Sequence, residues 1–103
     1  MLENLCIIDL NYQAPLEKLD EAMKAHVNFL DKHYEAGDFI TSGRKVPRTG
    51  GIIIARANSK EEVEQWMQDD PFYKEKLCDF TITEFMASQA QPLIMELLKK
   101  PKK

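Results

Sequence analysis

The spacing of apolar and polar positions changes several times along the chain, and each change marks an element. Leu5–Tyr12 (LCIIDLNY) is short, rich in strand formers and followed by a polar Gln-Ala-Pro, which predicts a strand. Cys6, Ile8, Leu10 and Tyr12 share one face of it; Leu5, Ile7, Asp9 and Asn11 share the other, which turns polar toward its end. Pro15 suits the first position of a helix, where its missing N–H costs nothing. Leu16, Leu19, Met23, Val27, Leu30 and Tyr34 then recur at three- and four-residue intervals, within an arc of roughly 80°. That stripe is the expected core face. His26 and His33 fall just beyond one edge of it, beside Ala22 and Phe29, and Asp20 and Asp31 take the other edge. Gly37 supplies a left-handed stop.

Phe39–Ser42 reads as a second strand, and Gly43–Gly50 (GRKVPRTG) as a loop carrying three cations. Gly51–Ala57 is nearly all apolar, as in a strand covered at least in part on both faces. Ser59-Lys60-Glu61-Glu62 forms a capping box, with Ser59 accepting from the Glu62 N–H and Glu62 reaching back. Val63, Trp66 and Met67 give the second helix its core side. Asp70-Pro71 interrupts that helix, and Pro71 opens a further turn, PFYKEKL, with Asp70 as its N-cap. Asp79–Met86 alternates cleanly, with Phe80 and Ile82 on one face, and is the fourth strand. Gln91–Lys100 is a short amphipathic helix whose Leu93, Ile94, Leu97 and Leu98 need a cover from the same sheet or from a second chain. The terminal KKPKK is expected to remain solvated.

The resulting order, β-α-β-β-α-β, is the ferredoxin-like α+β arrangement, with a four-stranded antiparallel sheet and both main helices on one face. Residues 1–87 make up this domain and 88–103 a C-terminal extension. Little in the chain covers the other sheet face, and a large apolar face seldom stays exposed on a monomer. A homodimer formed by sheet-on-sheet packing, with the C-terminal segment at its interface, is therefore expected.

Composition narrows the function classes. A chain of 103 residues, 44% hydrophobic and 30% charged, is an ordinary single domain. Its net charge of −3 argues against nucleic acid as a partner. No apolar run approaches the ~20 residues that span a bilayer, and MLENLCIIDLNY lacks the basic start and cleavage site of a secretory signal. Cys6 and Cys78 lie far apart in apolar surroundings, without the close spacing of metal ligands. They read as buried reduced thiols, which points to a cytoplasmic setting. P-loop, dinucleotide-binding and zinc patterns are missing, and no metal or organic cofactor is implied.

The candidate chemistry is sparse. His26 can exchange a proton near neutral pH if it borders a pocket; otherwise it is a half-buried helix-edge residue. His33 reads as a surface or interface residue with no evident partner. Asp70 is explained by capping alone, yet a carboxylate can cap a turn and also orient an imidazole. Ser42, Arg44, Lys45 and Arg48 cluster where they could bind an anionic group or simply be solvated. Trp66, Phe72 and Tyr73 read as core and rim aromatics.

Three stretches together resemble the YciI-like (YCII-related) family: AHVNFLDKHYEAGDFITSG around His26, GIIIARANSKEEVEQW, and Asp70-Pro71-Phe72 before a final strand. The resemblance covers about residues 1–87. It implies a ferredoxin-like fold in a dimeric α/β barrel and an active site centred on His26 and Asp70. Ser42, Arg44 and Phe72 are the expected substrate-binding residues. That family includes a dehydrochlorinase acting on a chlorinated hydroxyhydroquinone. Arg44 and Lys45 depart from it, since a small residue usually follows its Ser-Gly. The expected function is general acid–base chemistry by a His/Asp pair on a small cyclic or phenolic substrate: an isomerase, a lyase or dehydrochlorinase, or a hydrolase-like enzyme. The alternative is a non-catalytic dimeric ligand-binding or accessory module. A dimeric-barrel monooxygenase shares the architecture without residues of its own to support it.

Overall fold

A computed structural model describes residues 4–102 of the chain. The elements are β1 (Asn4–Tyr12), α1 (Leu16–Glu35), β2 (Phe39–Arg44), β3 (Gly50–Arg56), α2 (Lys60–Met67), α3 (Pro71–Lys74), β4 (Cys78–Met86) and α4 (Pro92–Lys99). The strands form one sheet in the order β2-β3-β1-β4, and each neighbouring pair is antiparallel. This is the ferredoxin-like α+β fold expected from the element order. One close approach depends on glycine: a Cβ at Gly50 would lie 1.9 Å from the Leu10 carbonyl oxygen, so no larger residue can pair there opposite Asn11.

Ile8 and Ile53 from the sheet meet Leu19, Val63 and Met67 from the helices, all fully or nearly fully buried. Side chains of this size contribute about 1.5–3 kcal/mol each when wholly buried, which makes this layer the principal core. Local signals behave mostly as read. Ser59 Oγ accepts from the Glu62 N–H at 3.2 Å, but Glu62 reaches back one residue further than expected, to the Asn58 N–H at 3.0 Å. Pro15 is the N-cap of α1 rather than its first helical residue. Gly37, at φ 81°, closes α1 in a Schellman turn, with the Asp38 N–H donating to the His33 carbonyl at 2.8 Å.

Two expectations about faces need correction. The buried residues of α1 are Leu19, Ala22, His26, Phe29 and His33, so the helix is turned roughly 80° from the orientation that the leucine stripe suggested. Leu16, Val27 and Tyr34 of that stripe are exposed. His33, read as a surface or interface residue without a partner, is buried: its Nδ1 lies 2.7 Å from Oδ2 of Asp38, and its ring packs against Phe29, Phe39 and Trp66. Both imidazoles can be buried because each meets a carboxylate and aromatic neighbours, which offsets the cost of taking a polar group from water.

β2 is also longer than expected, since Gly43 and Arg44 pair with Ile52 and Gly51 of β3. A bulge shifts its register between Phe39 and Thr41. Strict alternation from buried Phe39 would turn Ser42 away from the helices. The extra residue instead sets Ser42 opposite Ile53, a residue of the core face.

The C-terminal segment crosses the other sheet face at one end. Leu98 packs with Leu5, Ala87 and Ile40, and the Arg56 guanidinium donates to the Leu98 and Lys100 carbonyls at the end of α4. Leu93, Ile94 and Leu97 remain exposed. The tail is not simply solvated: Lys102 Nζ lies 2.9 Å from Oδ1 of Asp38 and 5.0 Å from the centre of the Trp66 ring.

The turn from α3 into β4 carries avoidable strain. Lys76 has φ 60°, and the Leu77 N–H donates to the Phe72 carbonyl at 2.8 Å in a helix-ending turn that favours glycine. The left-handed backbone costs a side-chain-bearing residue about 1–2 kcal/mol, part of which glycine returns through its freedom in the unfolded chain. Lys76→Gly is therefore expected to raise the melting temperature by a few degrees in a calorimetric scan. An unchanged or lower value would contradict this account of the turn.

Candidate functional site

The Asp-Pro-Phe sequence puts three local constraints into one short segment. Pro71 fixes its own φ and starts α3. Asp70 caps that turn, with Oδ1 accepting from the Phe72 N–H at 3.0 Å. The same oxygen lies 2.8 Å from Nδ1 of His26, which stands 44 positions earlier in the chain. Asp70 is 0% exposed, so both of its expected contacts form inside the protein. Its Oδ2 makes no hydrogen bond among the described residues. A carboxylate only accepts, so Nδ1 of His26 carries the proton, and the nitrogen left for a ligand is Nε2.

Phe72 completes the arrangement. Its ring lies flat on the imidazole, with centroids 3.9 Å apart and planes within 2°. One face of the imidazole is thus covered while its Nδ1 edge is held, and the ring has little freedom to turn. The sequence suggested an aromatic rim here; what it could not show is that Phe72 packs on the histidine itself.

His26 lines a cavity of about 160 Å³ between α1 and the β1–β3–β2 side of the sheet. Met23, Val27 and Leu30 form its helix wall, Leu10 and Tyr12 the β1 side, and Ser42, Arg44 and Ile53 the far side. Met23, Val27 and Leu30 of the apolar stripe therefore border this space, while Leu19 stays in the core. His26, Ser42, Arg44 and Phe72 come together here, with Asp70 directly behind the histidine. Sequence reasoning missed Tyr34, whose hydroxyl lies 2.6 Å from Ser42 Oγ. Its eight-residue separation from Ser42 was visible, but the bulge that turns Ser42 toward α1 was not.

The remaining loop cations are engaged elsewhere. Lys45 Nζ lies 2.6 Å from Oδ1 of Asp9 and donates to Asn11 at 2.8 Å. Arg48 pairs with Asp20 at 2.7 Å. Hydrogen bonds to Asp20 and Tyr12 push its guanidinium above the ordinary value. Among the described residues no three of His, Cys, Asp and Glu group as metal ligands would, and no helix is long and apolar enough to cross a membrane.

Fold and cavity define a small ferredoxin-like α+β protein with a histidine and a buried carboxylate at a concave site. Residues 4–86 match the YCII-related domain, and the chain belongs to that family. No curated protein matches it in sequence. Among solved structures, it is similar to the 5-chloro-2-hydroxyhydroquinone dehydrochlorinase of Burkholderia phenoliruptrix AC1100 in complex with 2,5-dihydroxybenzoquinone. The TM-score is 0.70 at 20% identity, over 80% of this chain and 93% of that one. It is also similar to SnoaB, a cofactor-independent oxygenase from Streptomyces nogalater, with a TM-score of 0.51 at 11% identity, over 89% of this chain and 99% of that one. At such identities the likeness is one of fold, the fold of dimeric α+β barrel proteins.

Both cysteines are free and buried. Burial first, then the nearby Asp70 and Asp79 carboxylates, push the Cys78 thiol from 9.0 up to about 12. Because the folded value is the higher one, the native state keeps a proton that the unfolded chain gives up. Stability from this group is full below about pH 9 and is lost as pH rises toward 12. Urea unfolding across that window should show stability falling with pH, and Cys78→Ala should flatten the slope. An identical slope in the variant would count against the assignment to Cys78.

Proposed function

We propose that the cavity is the active site of a small-molecule enzyme in which His26, oriented by Asp70, passes a proton to and from the substrate. The observation that carries this reading is the 2.8 Å contact between His26 Nδ1 and a wholly buried Asp70, on a histidine that lines the cavity. With Nδ1–H held, Nε2 is the base that would remove a proton from a ligand carbon or hydroxyl; the resulting imidazolium would be stabilised by the carboxylate and can return the proton elsewhere. Enolisation, lactone isomerisation and halide elimination each need such a carrier. The dehydrochlorinase with its bound dihydroxybenzoquinone supports a cyclic or phenolic substrate. His26, Asp70, Ser42, Arg44 and Phe72 are the residues in this reading.

The test needs a variant that folds. His26→Ala would leave Asp70 buried without its partner, a change that costs several kcal/mol in comparable buried pairs. His26→Gln keeps an N–H in reach and removes the proton carrier. Monocyclic phenols, quinones and lactones are screened by thermal shift, and those that bind are followed for turnover. His26→Gln is expected to lower kcat by about 10²–10⁴-fold while binding and melting temperature hold. Full turnover by a folded His26→Gln protein would leave the ligand-binding module as the better description.

The working unit in this proposal is a homodimer closed sheet to sheet. Ile7, Ile52 and Ile54 lie half-exposed on the side of the sheet away from the helices, and Phe85, Leu93, Ile94 and Leu97 are exposed. Together they form an apolar area larger than isolated surface residues account for. Light scattering after size exclusion should give twice the chain mass for the native protein and the single mass for Ile54→Glu. A native monomer at micromolar concentration would rule this arrangement out.

A further inference from the structure

We infer that the cavity takes a single-ring organic anion and that Arg44 is the residue that selects its charge. The inference rests on the reading of this cavity as a ligand site and adds the chemical class of the ligand. Size limits the ring count first. About 160 Å³ is close to the ~150 Å³ of an engineered apolar cavity that accommodates benzene. One ring with small substituents matches that space.

Charge then limits the substituents. Among the described residues no carboxylate lines the cavity. His26 faces Asp70, and the cations Lys45 and Arg48 already have their counter-charges in Asp9 and Asp20. Arg44 also lines the cavity and has no ion pair among the described residues. One positive charge is therefore left over at this site. A planar guanidinium fork suits a carboxylate or an acidic phenolate, each of which presents ionised oxygen.

Strand geometry puts this charge on the correct side. Ser42 pairs opposite Ile53 and Arg44 opposite Gly51, so both belong to the helix-facing side of β2 once the bulge has been passed. Gly51 contributes no side chain there; a Cβ on it would approach Leu10 Cδ1 at 3.9 Å, and Leu10 is itself part of the wall. The space beside Arg44 thus stays open. Tyr34 fixes the neighbouring Ser42 hydroxyl at 2.6 Å, giving the anion a neutral hydrogen-bonding group next to the cation. The ligand's ring would lie against the apolar stripe of α1, with its acidic group toward β2 and its reacting atom toward His26.

The experiment compares 3-hydroxybenzoate with its uncharged isostere 3-hydroxybenzamide by calorimetric titration. The native protein is expected to bind the acid on the order of tenfold more tightly than the amide, as a charge-assisted contact would give. In Arg44→Gln that preference should fall to near unity with amide binding unchanged, and Arg44→Lys should restore part of it. Added salt should weaken the acid alone. Arg44 is exposed on an edge strand, so an unchanged melting temperature checks that the variants fold. Equal binding of acid and amide by the native protein, or an acid preference that survives in Arg44→Gln, overturns the inference and leaves the cavity as a ring site. Failure of the native protein to bind acid, amide or phenol at millimolar concentration overturns both readings together.

Discussion

A carboxylate with 0% exposure sets the terms for much of this molecule. Charge in a protein interior is costly unless donors surround it, and Asp70 finds two: the Phe72 N–H of its own turn and the Nδ1–H of His26. The first is local and follows from Asp-Pro-Phe wherever that sequence opens a helical turn. The second reaches across the fold and fixes how α1 sits on the sheet. With His26 drawn inward, the Met23–Val27–Leu30 stripe is left over open space, and that space is the cavity. The cavity thus goes with the burial of one acid, and the histidine and the apolar wall come from adjoining flanks of the same helix.

The element order, the antiparallel sheet and the helix ends were legible in the chain because they rest on short-range chemistry: period-two alternation, Gly37 after α1, Ser59 before α2 and Asp70-Pro71 after it. The rotation of α1 was not legible. Its leucine stripe is the stronger apolar signal, and what overrides it lies 44 residues away in Asp70 and, for His33, beyond the helix end in Asp38. Pairing with a carboxylate makes a histidine behave as an interior residue, and periodicity cannot register that. The bulge in β2 was hidden for a similar reason: one extra residue changes which way Ser42 turns while leaving composition and spacing unaltered. Lys102 read as solvated because a run of lysines gives no sign of the acid and the indole that receive one of them.

The relatives bear on this site through shape. A dehydrochlorinase and a cofactor-independent oxygenase share the fold at 20% and 11% identity, so the scaffold accommodates different reactions. What distinguishes this chain within the scaffold is the set of side chains facing the cavity. That set pairs a stacked, carboxylate-held imidazole at one end with a hydroxyl and a guanidinium at the other.

The far end of the molecule has its own use. The chain contains one tryptophan, and Trp66 lies under the C-terminal tail, beside Lys102, rather than among the residues that line the cavity. Indole emission is thus a built-in optical reporter of tail docking. The rings of Phe29 and His33 stand between His26 and the indole, so a silent tryptophan signal is compatible with full occupancy of the cavity.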